Sequence, residues 1–470
     1  MPRLDPPMVG ATSGAMTLHA PVHRHGRAAR SDDGRFSLPL PKEVFVMKTR
    51  SLAIAAAVAA AFAAPAAFAT NGYFPHGQGI KAKGMAGAAI ALPQDAIAAA
   101  TNPAGMFFVG NRIDVGLDWF KPTREAQVVG SCFNPPACTA NANGTYDAND
   151  KSNFFVPEFG YNRLVSPNVA VGVTVYGHGG MNTSYTSAFP LFGTSKPGVD
   201  LSQLFVAPTV AWQVAPGQVI GASVNLAYQR FKATGLENFD NPVFSAFPGN
   251  VTNQGYDSST GVGVRIGWMG KLAPACDFGV TYQTKTKMSE FDKYKGLFAE
   301  EGGFDIPANY GAGVACKVAP QVTVAFDVVR IEYSGIRSVN NRLQNLLNGQ
   351  QLGTANGAGF GWQDVTAYKL GVQWAVNPTT TLRAGYNYGK QPIPSSETLF
   401  NVLAPGVVEQ HYTVGGTWAM PGNSEASFFF MYVPEKTVNG SNSIPALFGG
   451  GNVNLRMKQM SLGVAYGWRF

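Results

Sequence analysis

Residues 461–470 read SLGVAYGWRF, and the order of large and small side chains in this stretch decides the fold. Leu462, Val464, Tyr466, Trp468 and Phe470 take every second position, with Ser461, Gly463, Ala465, Gly467 and Arg469 between them. Period two is that of a β-strand with one apolar face. Such a face must be covered, either by a protein core or by lipid.

Upstream, the same alternation recurs from about residue 110. VAVGVTVYG sets Val169, Val171, Val173 and Val175 against Ala170, Gly172, Thr174 and Tyr176. AYKLGVQWAV sets Tyr368, Leu370, Val372, Trp374 and Val376 against Lys369, Gly371, Gln373 and Ala375. One face is bulky and apolar; the other is small or polar, with few charge pairs. A packed sandwich would invert that arrangement, whereas a polar lumen inside a lipid-facing barrel requires it. Short connectors at 166–168, 215–218, 272–276, 319–321, 377–380 and 421–423 interleave with long ones near 131–150, 186–200, 233–256, 291–302, 338–361, 391–406 and 439–452. Six short turns and seven long loops predict an all-β fold, a 14-stranded antiparallel transmembrane β-barrel over 110–470. Both its ends lie on the short-turn, periplasmic side. Closure leaves no open edge in lipid.

Composition agrees. Charged residues are 13% of the 470, and 55 Gly and 48 Phe plus Tyr accompany a mean hydropathy of −0.01. Helical membrane proteins are far more apolar. Of the net charge of +7, residues 1–69 carry eight Lys/Arg against four Asp/Glu, which leaves 27 against 24 elsewhere. That is too weak and scattered for nucleic acid.

Residues 47–69 have the parts of an export signal: Lys48 and Arg50, an apolar run from Leu52 to Ala64, and Ala67-Phe68-Ala69 as cleavage site. Residues 1–46 lack periodicity, so Met47 is expected to be the true start and Thr70 the first mature residue. The cell address implied is a bacterial outer membrane. Four cysteines in an exported chain suggest disulfides. Cys132 and Cys138 share one loop, and Cys276 and Cys316 fall at one end of a hairpin. The pairing 132–138 with 276–316 is preferred to the two alternatives. His76, His178 and His411 are scattered and C-x-x-C does not occur, so no metal or cofactor is expected.

Residues 70–109 do not alternate. Short helical runs are expected at Ile80–Leu92 and Asp95–Ala100, with Asp95 as a cap and Pro103 as a stop. This forty-residue segment, rich in Ala and Gly, would fit the lumen as a plug, or hatch; as a flexible periplasmic leader instead it would leave Ile90, Leu92, Ile97, Met106, Phe107 and Phe108 poorly served by water.

The stretch NGYFPHGQGIKAKGMAGAAIALPQDAIAAATNPAGM resembles the N-terminal hatch of the FadL-type outer-membrane transporters (OmpP1/FadL/TodX), with Asn102, Pro103 and Ala104 as the NPA element. The likeness runs through FVPEFGYNRLVSPNVAVGVTVYGHGG and GWQDVTAYKLGVQWAVNPTTTLRAGYNYGKQPIP to the terminal Phe, whose strand resembles the signal read by barrel-assembly machinery. It implies passive uptake of long-chain fatty acids or aromatic hydrocarbons, with no catalysis. It also implies capture between external loops carrying Phe239, Phe244, Phe247, Tyr294, Leu297 and Phe298. The inner pocket would be lined by hatch residues, with Phe74, Ile80, Met85, Ile90, Met106 and Phe107 as candidates. Lumen-phase Arg265, Lys285, Lys369 and Arg383 are candidates to meet a carboxylate. Gly177, Gly179 and Gly180 break the third strand, as glycines do at bulges, and the resemblance implies a lateral exit there. Expected partners are the hydrophobic cargo, outer-membrane lipid and lipopolysaccharide, and the assembly machinery, around a monomer. The rival reading is a non-specific porin, which would need no plug; an outer-membrane hydrolase is disfavoured because no G-x-S-x-G occurs.

Overall fold

The computed structural model describes residues 71–470. The expected leader, residues 1–46 and 47–69, and the cleavage site before Thr70 lie outside the described residues. Fourteen long strands among the described residues form one closed antiparallel sheet. They are β1 Arg112–Val129, β2 Phe154–Ser166, β3 Val169–Ser184, β4 Gly198–Ala215, β5 Gln218–Thr234, β6 Asp257–Ala273 and β7 Cys276–Gln283, followed by β8 Asn309–Ala319, β9 Val322–Ile331, β10 Val365–Asn377, β11 Thr380–Gly389, β12 Gln410–Met420, β13 Ser424–Val438 and β14 Asn452–Arg469. Each pairs with its sequence neighbours, and β14 closes on β1 from Arg112↔Arg469 to Val129↔Asn452. The chain end is tied to the short-turn rim, since Arg469 N–H donates to Asn423 O (2.9 Å) and Phe470 N–H to Asn111 O (3.1 Å).

The alternation has the sense the sequence predicts. Tyr368, Leu370, Val372 and Trp374 point outward and are exposed, as are Leu462, Val464 and Trp468. Lys369 and Ser461 point inward and are buried. The most exposed outward Trp and Tyr side chains sort by type. Trp212, Trp374, Trp418 and Trp468 stand near the short turns, and Tyr282, Tyr310, Tyr368, Tyr388, Tyr412 and Tyr432 near the long loops. Two such belts mark the two water–lipid boundaries.

Small inward residues have a specific cause. A Cβ at Gly160 would come 2.5 Å from the carbonyl oxygen of Ala96. Cβ atoms at Gly221 and Gly267 would strike the Asn102–Ala104 turn, and at Gly385 the Met85–Ala86 backbone. Strand glycines here mark where the N-terminal segment lies against the wall.

That segment is less helical than expected. Of Ile80–Leu92 only α1, Ile80–Lys83, is α-helical, and of Asp95–Ala100 only Ala98–Ala100 forms a single 3-10 turn. The positive φ of Ala86 (53°) and Gly87 (82°) ends regular coiling. Pro103 starts a helical turn rather than stopping one: Pro103–Phe108 is a 3-10 helix with Asn102 as its N-cap. Proline at the first helical position loses no bond, because that N–H has no intrahelical partner anyway.

Candidate functional site

Charge pairs fix the hatch to the floor of the barrel. Lys81 pairs with Glu425, and Lys83 with Asp118 at 2.8 Å. Arg112 pairs with Asp114 (2.6 Å) and Glu425 (2.5 Å). Asp327 accepts the N–H groups of Ala89 (2.7 Å) and Ile90 (2.9 Å), and Arg383 donates to Gln94 Oε1 (2.6 Å) and Thr417 (2.7 Å). Breaking one such buried pair leaves an uncompensated charge, at about 3–5 kcal/mol. These bonds hold the hatch against the wall near the short turns.

The wall itself is incomplete at one seam. β2 and β3 pair from Ser166↔Val169 to Phe159↔Val175 and then part. Beyond that point Phe154–Glu158 pair only with β1, and Tyr176–Thr183 only with β4, among the described residues. The register of β3 against β4 slips between Gly177 and Gly179, so His178 is the extra residue of a bulge. Further out the gap ends where Asn149 bridges Ser184 and the Arg124 guanidinium bonds the carbonyls of Asn182 and Lys151.

At this seam the hatch takes the place of the missing strand partner. Gly180 N–H donates to Tyr73 O (3.2 Å), and Gln78 Nε2 donates to Gly177 O (3.1 Å). On the opposite edge, Ile80 N–H donates to Glu158 Oε1 (2.9 Å). One segment of eight residues thus bonds to both lips.

Behind the seam lies an inner cavity of about 70 Å3 lined by Phe74, Ile90, Val329, Ile331, His178, Arg265, Asn309 and Lys369, with other hatch residues. Arg265 donates to Thr101 O (3.0 Å) and Gln283 Oε1 (2.5 Å), and Lys369 stands opposite Asp327 in the ladder. Both ring nitrogens of His178 and the Asn309 Nδ2 are buried without a hydrogen-bond partner among the described residues. A second cavity, of about 40 Å3, lies under the external loops, walled by Phe192, Phe231, Phe239, Phe298, Phe360 and Phe400 among other apolar side chains. A ladder of rings joins the two. Phe231 meets Phe298 (4.6 Å between centroids), Phe298 meets Phe304 (4.9 Å) and Phe304 meets Tyr73 (6.1 Å). Tyr73 meets Phe74 (5.3 Å), which meets His178 (4.5 Å) at the bulge.

The site residues expected from sequence divide. Phe74, Ile90, Arg265 and Lys369 come together at the inner cavity. Ile80, Met85, Met106 and Phe107 do not line it: Ile80 and Met85 pack against wall glycines, and Met106 and Phe107 against Ala170, Ala211, Val219 and Met269. Lys285 is misplaced by the expectation. β7 ends at Gln283, and Lys285 lies half-exposed beyond it, paired with Asp305 at 3.1 Å. Arg383 is in the lumen but serves the hatch floor. Of the loop aromatics expected to take part in capture, Phe239, Tyr294 and Phe298 turn inward. They are buried against the rings of Phe192, on a neighbouring loop, Phe231 of β5, and Phe304 of the same connection, respectively. Cys132 is bonded to Cys138, and Cys276 to Cys316. The residues missed are Gln78, Glu158 and His178. A carboxylate in the inward phase of β2, and a histidine among glycines, were the signals available.

The description "Outer membrane protein transport protein (OMPP1/FadL/TodX)" belongs to a family model that matches residues 56–470. Among solved structures, the toluene transporter TodX of Pseudomonas putida aligns with a TM-score of 0.61 at 18% identity, over 85% of this chain and 100% of that one. A Pseudomonas aeruginosa FadL homologue aligns at 0.62 and 15%, over 85% and 100%. The toluene transporter TbuX of Ralstonia pickettii aligns at 0.58 and 17%, over 84% and 99%. No curated protein matches the sequence. At these identities the structural likeness concerns the fold.

Proposed function

The chain belongs to the OMPP1/FadL/TodX family of outer-membrane transport proteins and is an outer-membrane channel for hydrophobic compounds; from that premise we propose that its cargo leaves sideways into the bilayer through the β2–β3 seam. The observation that carries this reading is the ring ladder, which runs from the loop cavity to His178 and so ends at the seam rather than at the floor. A fatty acid in bulk water is costly, at about 0.8 kcal/mol per CH₂ and more than roughly 10 kcal/mol for a chain of about 16 carbons. An apolar path to lipid avoids that cost, and a path through the charged floor does not. Uptake needs no energy source, since cargo moves down its gradient.

The inner cavity supports a cargo with an anionic head. Arg265 and Lys369 face it beside apolar Phe74, Ile90 and Val329, which suits a carboxylate with a hydrocarbon tail. The second reading, a neutral aromatic hydrocarbon, draws support from the loop cavity, whose lining is apolar almost throughout. Lys369→Gln separates them: dodecanoate uptake falls and toluene uptake holds if the head is read there.

Deleting His178 removes the extra residue of the bulge and brings β3 back into phase. The expected outcome is a folded, heat-modifiable barrel with uptake of both probes lost. Unimpaired uptake by a folded deletion variant would reject the lateral exit.

A further inference from the structure

The two most exposed large apolar side chains among the described residues are Val243, at 73%, and Leu447, at 72%. Both lie on external loops, outside the tyrosine belt, where neither lipid nor core covers them. A single exposed apolar residue needs no explanation, but these two are linked. Val243 precedes Phe244 and Leu447 precedes Phe448, and those rings lie 5.7 Å apart. Each also contacts Phe239, at 5.6 Å and 5.9 Å, and Phe239 is part of the wall of the loop cavity. The residues next to Val243 and Leu447 in the chain thus reach, through Phe239, the wall of the cavity beneath.

Phe448 is carried on a glycine-rich turn, whose Gly449 O accepts the Cys132 N–H (2.7 Å). Ala446–Phe448 is a 3-10 turn closed by bonds to Pro445 O from the N–H groups of Phe448 (2.9 Å) and Gly450 (3.1 Å). Gly449, Gly450 and Gly451 follow with φ of 90°, 63° and 92°. Three consecutive residues in this region are accessible only to glycine without strain. A Cβ at Gly450 would meet nothing within 4 Å, so space alone does not demand glycine there.

We propose that Val243 and Leu447 are the first landing point for a hydrophobic cargo molecule, and that Phe448 is a wedge the cargo displaces to reach the loop cavity. The inference rests on the transport reading and adds to it a third capture element, the 445–451 turn, beyond the two loops that the sequence points to. The occupant is the cargo molecule itself, because the patch opens onto the apolar path and not onto a broad flat face suited to a protein.

The test is uptake of dodecanoate and of toluene, over a range of concentrations, by the full chain and by a Val243→Asp/Leu447→Asp variant in outer membranes. Both substitutions lie at exposed tips, and heat-modifiability checks folding. Half-saturation should rise about tenfold, as expected when two apolar contacts are lost, with the maximal rate unchanged. Wild-type uptake with the same half-saturation in the variant overturns the landing point and leaves the transport reading standing. A wild type that takes up neither probe defeats the transport reading, and this inference with it. A patch that instead joined copies would give a wild-type dimer and a variant monomer by light scattering in detergent, which also overturns it.

Discussion

Asn102 illustrates how a single side chain positions the plug. Its Oδ1 accepts from Ala104 N–H (3.1 Å), and its Nδ2 donates to Ile90 O (3.0 Å) and to Trp268 O on the wall (3.2 Å). It thus caps one turn, ties two hatch strands of chain together and fixes both to β6. Asn102→Ala removes all three bonds inside a buried site, and should loosen the hatch by about 1–3 kcal/mol. Hydrogen exchange checks this: amides around Ile90 and Ala104 should lose protection while the barrel strands keep theirs. Asn102→Asp, which sets a buried carboxylate oxygen against the Ile90 and Trp268 carbonyls, should loosen the hatch further. The Asn-Pro-Ala triplet stands out in the sequence through the family resemblance, but the capping role of Asn102 and the helix-starting role of Pro103 do not. Glu158 and His178 were not legible either, because what gives them meaning is a hatch segment about 80 to 100 residues away in the chain.

Among the elements, β3 is the one on which the proposed lateral exit turns. Its inner half has two strand neighbours, and its outer half has one, with the hatch supplying bonds at Gly177 and Gly180. Unpaired backbone at membrane depth costs several kcal/mol per group and is tolerated only where protein or water satisfies it. The seam therefore stays closed only while the hatch stays docked. Gln78→Ala leaves Gly177 O without its partner, and the expected result is a leakier seam: faster dodecanoate uptake and greater sensitivity of cells to hydrophobic antibiotics. Unchanged sensitivity would mean that the Tyr73 and Glu158 bonds suffice alone. Strand positions were legible because period two and the turn residues at 166–168, 319–321 and 421–423 are local signals. The hatch helices were not. Its Ala-rich composition favours helix, but glycines in the wall, the Asp327 carboxylate and the Met85 contacts impose a tertiary path on it, which overrides propensity.

For the whole molecule, three layers of chemistry are nested: a lipid-facing surface between tryptophan and tyrosine belts, a wall whose inner glycines admit the plug, and a plug held by buried charge at the floor. The belts were implicit in the alternation, since each bulky residue of the last strand has a defined face. What the sequence left open was depth. It placed Lys285 and Arg383 in the lumen phase alike, yet only a fold shows that one strand has already ended and that the other cation serves the floor. The same gap left open whether the aromatic loops pack on themselves or stand free; their rings pack edge to face and tilted against one another, leaving Val243 and Leu447 outermost. The proposed direction of escape belongs to this scale, since it rests on the hatch bonds near the short turns and the open β2–β3 pairing together.

The most direct measurement is photo-crosslinking of a diazirine-bearing fatty acid to the protein in outer-membrane vesicles, with the labelled residues mapped by mass spectrometry. The account predicts label on loop residues such as Phe239, on Phe74 and His178, and on Phe155 and Pro157 at the lipid-facing lip of β2. Label on Lys81, Arg112 or Glu425 at the floor, with none on that lip, would contradict it.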